Sequence, residues 1–165
     1  MLHIHPFLIA QLLLLLALAN GAPLIAKKVF GTALAFPLDN GVTLADGQPV
    51  FGHSKTIRGV GLSIAVTTLG APWTGLSPVA GLLVSAVAMI GDLLSSFIKR
   101  RMKLAPSSMA LGLDQIPESL LPAIAAGLAL PVTMLDAAIV AGLFFIGELA
   151  ASRALFALNI RDRPY

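Results

Sequence analysis

No cysteine occurs in the chain. Disulfides, zinc–thiolate sites, iron–sulfur clusters and thiol nucleophiles are therefore excluded, and any metal falls to oxygen ligands, which favour a hard cation such as magnesium. Charge is scarce too, at 12% of 165 residues. No Lys or Arg precedes Lys27, so the leading apolar run lacks the basic region that opens a cleaved signal peptide. Gly-x-Ser-x-Gly and similar nucleophile motifs are missing. There is no internal repeat, and no low-complexity tract beyond Leu12–Leu16. A soluble core of this size needs more polar surface. With 57% hydrophobic residues and a mean hydropathy of +0.90, the sequence reads as one integral membrane domain over residues 1–165.

Five apolar stretches are present: Pro6–Ala26, Ile57–Gly70, Leu76–Leu94, Leu120–Pro131 and Thr133–Leu158. About 20 apolar residues cross a bilayer, so the second and fourth are short unless flanking Thr56 and Ser119 complete them. The pattern predicts an all-α polytopic protein with five transmembrane helices. Lys27, Lys28, Lys55, Arg58, Lys99, Arg100, Arg101, Lys103, Arg153, Arg161 and Arg163 then all fall on one side. The positive-inside rule gives N-out, C-in. Gly81 with Ser85, Ala123 with Gly127, and Ala137 with Ala141 are small-xxx-small pairs that let helices approach closely. Trp73 marks an outer interface, His3 and His5 read as incidental, and Asp136 reads as a solvated helix start.

Nearly all the polar chemistry lies in two segments facing the cytoplasm. In "GDLLSSFIKRRMKLAPSSMALGLDQIPES", a helix running past the membrane puts Asp92, Ser96, Lys99 and Lys103 on one face at about 100° per residue. A carboxylate at membrane depth is costly unless it is paired or binds a cation. Snorkelling stop-transfer lysines paired with Asp92 are the plain alternative. Asp114 nearby favours an anion-and-metal site. In "KKVFGTALAFPLDNGVTLADGQPVFGHSKTIRG", Asp39–Asn40–Gly41 and Asp46–Gly47 form two Asx–Gly turns. Gly52, Ser54, Lys55, Thr56 and Arg58 then gather donors suited to phosphate before a helix N-terminus. The spacing from Gly52 to Lys55 does not match a P-loop. Glu148, one turn before Ser152, reads as a helix-joining or Arg153-paired residue. His53 has no histidine near enough in sequence to make a metal pair.

The motifs "DGQPVFGHSKTIRG", "GDLLSSFIKRR" and "GLDQIPESLLP", in this order between five apolar stretches, resemble the CDP-archaeol synthase family. Those enzymes are membrane CTP:lipid-phosphate cytidylyltransferases, distantly related to CDP-diacylglycerol synthases. The resemblance covers nearly the whole chain. Ile57 stands where the family usually has an aromatic residue, and Ile116–Pro117–Glu118 where it usually has Asp–Phe. The resemblance implies five membrane helices, two long cytoplasmic loops around a polar cavity, and magnesium dependence.

It further implies transfer of a cytidylyl group from CTP to an archaeol-type or phosphatidate-like lipid phosphate, releasing pyrophosphate. In that chemistry Lys55, Arg58, Asp92, Lys99 and Asp114 are the expected catalytic set. Asp92 and Asp114 are the expected magnesium ligands. Asp39, Asn40, Asp46, Ser54, Thr56, Ser96 and Arg100 are the expected CTP and phosphate contacts. Expected partners are CTP, the lipid phosphate and the cell membrane, with the site facing the cytoplasm. A homodimer is compatible with the sequence, and no nucleic acid is expected. Two other classes fit the composition: a non-enzymatic protein whose basic rim attracts anionic lipids, and a small transporter lined by Glu148 and Asp92.

Overall fold

The computed structural model describes residues 3–105 and 108–158; Arg161 and Arg163 lie outside the described residues. Five helices follow in chain order: α1 Pro6–Phe30, α2 Ile57–Gly70, α3 Pro78–Arg101, α4 Gln115–Ala126 and α5 Met134–Ala157. A short 3-10 turn, Ala71–Thr74, extends α2. Among the described residues there are isolated bridges but no strands.

Helices α1, α3 and α5 are each long and apolar enough to cross a membrane. At about 1.5 Å per residue, α2 and α4 are shorter than a bilayer core of about 30 Å. The bounds of α2 match the apolar run, because Thr56 accepts the Gly59 N–H and starts the helix there. Helix α4 starts five residues earlier than its apolar run. Turns at 110–116 lead into it and turns at 125–130 follow it. Helix α3 runs to Arg101, with Lys99, Arg100 and Arg101 in its last turn, where the helix dipole favours cations. More than half of the second polar segment is therefore helical, and its described non-helical residues are 102–105 and 108–114. Lys103 lies past the helix end at φ +57°, so it leaves the expected stripe of Asp92, Ser96 and Lys99.

Neighbours pack in chain order, α5 returns against α1, and α1 also touches α3. The shared core includes Leu12, Leu15, Leu16, Ala88, Ala123 and Val140. Many large apolar side chains face outward, among them Leu69, Val79, Ile90 and Ile146; bilayer contact accounts for such a surface. Pro23 inside α1 lacks the N–H that would bond the Ala19 carbonyl. Ser63 of α2 donates to that carbonyl at 2.7 Å instead. The Gly81–Ser85 pair does serve packing: a Cβ at Gly81 would stand 2.8 Å from the Thr67 carbonyl oxygen of α2.

Asp136 departs from expectation. It is fully buried rather than solvated. It accepts the His5 backbone N–H at 2.9 Å, lies 2.8 Å from His5 Nδ1, and forms a capping box with Thr133. The segment before α1 is thereby tied to the start of α5. His5 is a structural clasp, and His3 stacks on it.

Among the glycines, the closest backbone approach lies beside the polar segments. A Cβ at Gly91 would sit 2.3 Å from the Pro117 carbonyl oxygen and 2.9 Å from the Glu118 nitrogen. Only glycine permits this crossing of α3 over α4, and backbone cannot yield as a flexible side chain can. Gly91→Ala should cost about 1–3 kcal/mol, the usual range for overpacking, seen as a lower melting temperature in detergent. Gly142→Ala, whose Cβ meets nothing within 4 Å, should melt as the wild type. Equal melting of both variants would disprove the close crossing.

Candidate functional site

The loop from Gly31 to Thr56 is organised by its carboxylates. Asp39 accepts the N–H groups of Phe51 and Gly52, both at 2.8 Å, and of Gly41 at 3.1 Å. Burial pushes its pKa up, but the three N–H groups outweigh this and hold it below the usual carboxylate value. Asp46 accepts the Gln48 N–H and pairs with Arg101 at 2.5 Å, both of which lower its pKa. Arg101 also donates to the Gln48 and Pro49 carbonyls and lies 5.2 Å over the Phe97 ring. Both Asx–Gly turns form as expected, with Gly41, Gly47 and Gly52 at positive φ. Their carboxylates, however, are engaged in shaping the loop.

That loop delivers Lys55. Leu38 donates to the Lys55 carbonyl at 2.8 Å, and Ile57 donates to the Phe36 carbonyl at 3.0 Å. Lys55 Nζ lies 2.6 Å from both oxygens of Asp92 on α3. Burial pulls the ammonium's pKa down. The Asp92 carboxylate more than offsets this, aided by Glu118 and Asp114, so the net shift is upward. Two turns along α3, Lys99 Nζ pairs with Asp114 at 2.5 Å and donates to the Ser108 carbonyl at 3.0 Å. Asp114 also accepts the Ala110 N–H at 2.8 Å. Arg100 is buried and donates to the Ala105 carbonyl. Thus the pairs Lys55–Asp92 and Lys99–Asp114 cluster along the C-terminal half of α3, near enough for Asp114 to act on Lys55.

The other expected residues have different surroundings. Arg58 donates to the Gly31 and Ala33 carbonyls and lies 5.8 Å over the Phe30 ring, so its observed partners are outside the cluster. Thr56 caps α2. Ser96 is buried on α3, whereas Ser54 and Asn40 are exposed, Asn40 at φ +47°. Two residues beyond the expected set matter. Glu118 is buried and is brought to α3 by the Gly91 crossing, near Lys55. Its signal was an acid inside "DQIPESLLP", hidden because the apolar run begins only at Leu120. Arg101, expected only as part of a basic flank, fastens the loop.

Asp92, Asp114 and Glu118 supply only oxygen donors, but among the described residues no three acidic or histidine side chains converge on one point. Magnesium in nucleotide sites commonly takes one or two protein carboxylates and fills its shell with phosphates and water. The donors present suit such an ion in chemical type, and an ion there would share Asp92 with Lys55 and Asp114 with Lys99.

Helices able to cross a bilayer, around paired charges at one end, define a membrane-embedded protein with a polar site. A family model described as CarS-like, CDP-archaeol synthase, matches residues 77–165. The chain is 40% identical over 123 residues to a CDP-archaeol synthase of Pyrococcus furiosus, covering 67% of this chain and 70% of that one. With a CDP-archaeol synthase of Pyrobaculum calidifontis it shares 30% identity, covering 95% and 98%. With one of Hyperthermus butylicus it shares 37%, covering 89% of each. A solved intramembrane enzyme for archaeal membrane lipid biosynthesis superposes with a TM-score of 0.66 at 29% identity, covering 83% of this chain and 90% of that one. The chain belongs to the CDP-archaeol synthase family.

The Asp39 anchor makes a pH-dependent prediction. Its pKa is depressed on folding, so its contribution is present above the unfolded value of about 3.9 and is lost as pH falls through the lower folded value. Exchange of the Phe51 and Gly52 amides, measured relative to their intrinsic rates, should lose protection over that acid range. In Asp39→Ala these amides should be unprotected at every pH. Wild-type protection in that variant would refute the anchor.

Proposed function

We propose that the cluster of Lys55, Asp92, Lys99 and Asp114 is the catalytic centre of this enzyme. As a member of its family, the chain transfers a cytidylyl group from CTP to a lipid phosphate, giving a CDP-lipid. Finer features belong to the same proposal: five spans with N-out, C-in topology, both loops closing over a polar cavity on the cytoplasmic face of the cell membrane, and an archaeol-type or phosphatidate-like acceptor. The observation that carries it is the Lys55–Asp92 pair, at 2.6 Å and 23% exposed on each side chain. A loop lysine is held by both oxygens of a carboxylate where an apolar helix leaves the membrane.

A lipid phosphate oxygen attacks the α-phosphorus of CTP, the bond from that phosphorus to the bridging oxygen breaks, and pyrophosphate leaves with the electron pair. The phosphate monoester is already largely ionised near neutral pH, so no strong general base is required. The chain's task is to bring two anions together and stabilise charge on the leaving group. Lys55 and Lys99 are already ammonium groups fixed by Asp92 and Asp114, so they present charge to phosphate with little reorganisation. Arg100, close enough to Asp114 to feel its charge, adds to the positive side. Magnesium held by Asp92 and Asp114 would neutralise triphosphate oxygens. Asp39 and Asp46 contribute by shaping the loop.

Asp92→Asn should lower CDP-lipid formation from labelled CTP by roughly a hundredfold or more. The amide keeps the size but removes the charge that fixes Lys55. Near-wild-type turnover in a well-folded Asp92→Asn protein would refute the assignment. Topology has its own check. Cysteine at the exposed Ala45 should label only from the cytoplasmic side and cysteine at His3 only from outside; the reverse pattern would invert the orientation.

A further inference from the structure

The turn that follows α1 is exposed, yet its backbone is bonded as if water were scarce. Four consecutive carbonyls, those of Phe30, Gly31, Thr32 and Ala33, each have a donor within the protein. Ala33 donates to the Phe30 carbonyl at 3.0 Å, and Ala35 to the Thr32 carbonyl at 3.2 Å. Arg58 reaches back from α2 and donates to the Gly31 and Ala33 carbonyls, with its guanidinium over the Phe30 ring. Exposed carbonyls in water are simply hydrated, whereas backbone at a lipid boundary must find its partners inside the protein. The side chains point the same way. Val29, Phe30, Leu34, Phe36 and Ile57 each expose more than half of their surface. Leu34 stands at φ +55°, a left-handed position unfavourable for a bulky residue. Neither turn chemistry nor packing within the protein accounts for a leucine there. From Val29 to Leu38 the chain carries no charge.

We infer that residues 29–36, together with Ile57, lie in the headgroup region of the bilayer rather than in the aqueous part of the loop. Two features select lipid over a protein partner. First, this face continues the outward side of α1, a helix able to cross the membrane: Ile25, one turn before Val29, is also exposed. Second, the rim is cationic. Lys27 and Lys28 occupy the last turn of α1 and Arg58 lies in the first turn of α2. The nearest acid along the chain, Asp39, is turned into its own loop by three N–H groups. Apolar side chains beside basic ones suit an anionic membrane surface. The consequence is depth. Ile57 donates to the Phe36 carbonyl and Leu38 to the Lys55 carbonyl, so a segment seated at the headgroups fixes the level of Lys55. The use of that depth rests on the catalytic reading; the membrane contact does not.

The contact is measured without turnover. Trp73 is replaced by Phe, and a single tryptophan is introduced by Phe36→Trp, by Phe30→Trp, or by Ala45→Trp as the aqueous control. The proteins are placed in bilayers of phosphatidylcholine and phosphatidylglycerol, brominated near either the headgroup end or the methyl end of the chains. Phe36→Trp and Phe30→Trp should emit at shorter wavelength than Ala45→Trp, be quenched most by the shallow bromine, and resist acrylamide. Acrylamide quenching equal to that of Ala45→Trp would put the segment in water. Strongest quenching by the deep bromine would put it in the membrane core. Loss of lipid quenching with crosslinking between copies would make the face a dimer contact. Each of these results overturns the inference even if CDP-lipid forms normally. Shallow quenching in a protein that Asp92→Asn leaves fully active would keep the interfacial segment and reject the catalytic reading.

Discussion

Charge at the edge of an apolar medium must be paired, and most of the polar architecture follows from that constraint. An unpaired ion there costs several kcal/mol, and a matched pair lowers the cost only when its geometry is good. Lys55 comes from the loop after α1, Asp92 and Lys99 from α3, and Asp114 from the turn before α4. The two pairs thus tie two chain segments to one helix. The Lys55 side chain keeps 23% of its surface open, whereas Lys99 is buried. On the proposed reading a phosphate arriving from water meets Lys55 while Asp92 still holds it, so the pair that stabilises the free enzyme also organises it for anions.

The pairs meet only because the helices approach closely enough. Gly91 adjoins Asp92, and its lack of a side chain lets the Pro117–Glu118 backbone pass within contact. On the other flank, Ser63 supplies the bond that Pro23 denies the Ala19 carbonyl, joining α2 to α1 at mid-helix. That contact steadies the base of the loop that delivers Lys55. Glycine and serine at these interfaces are geometric requirements, in keeping with a bundle whose helices gain little from hydrophobic burial inside a membrane.

What the sequence made legible was what depends on composition and local pattern. Five helices, the bounds of α2 and the two Asx–Gly turns follow from apolar runs, an N-cap and turn chemistry. Pairing of Asp92 with a lysine was the plain alternative to a metal site, and the lysines considered were those at the end of its own helix. The actual partner, Lys55, depends on a contact 37 residues distant, which periodicity cannot reveal. The same limit hid the role of Asp39, whose acceptors are filled by amides 12 and 13 residues on. It also hid Asp136, buried by a histidine at the far end of the chain. Glu118 was obscured for another reason: a hydropathy run marks where a segment becomes greasy, whereas α4 begins where turns at 110–116 allow backbone bonding to start.

The positions of Arg58 and Lys55 show how one helix start can direct two cations to different partners. They are three residues apart, and Thr56 between them caps α2. Lys55 reaches Asp92, while Arg58 stays with the carbonyls that follow α1 and the ring of Phe30. The cap fixes the chain direction at this point, so the two cations cannot collapse onto the same carboxylate. One holds the carboxylate of α3 and the other fastens the chain that follows α1, so a single helix start anchors the bundle in two directions.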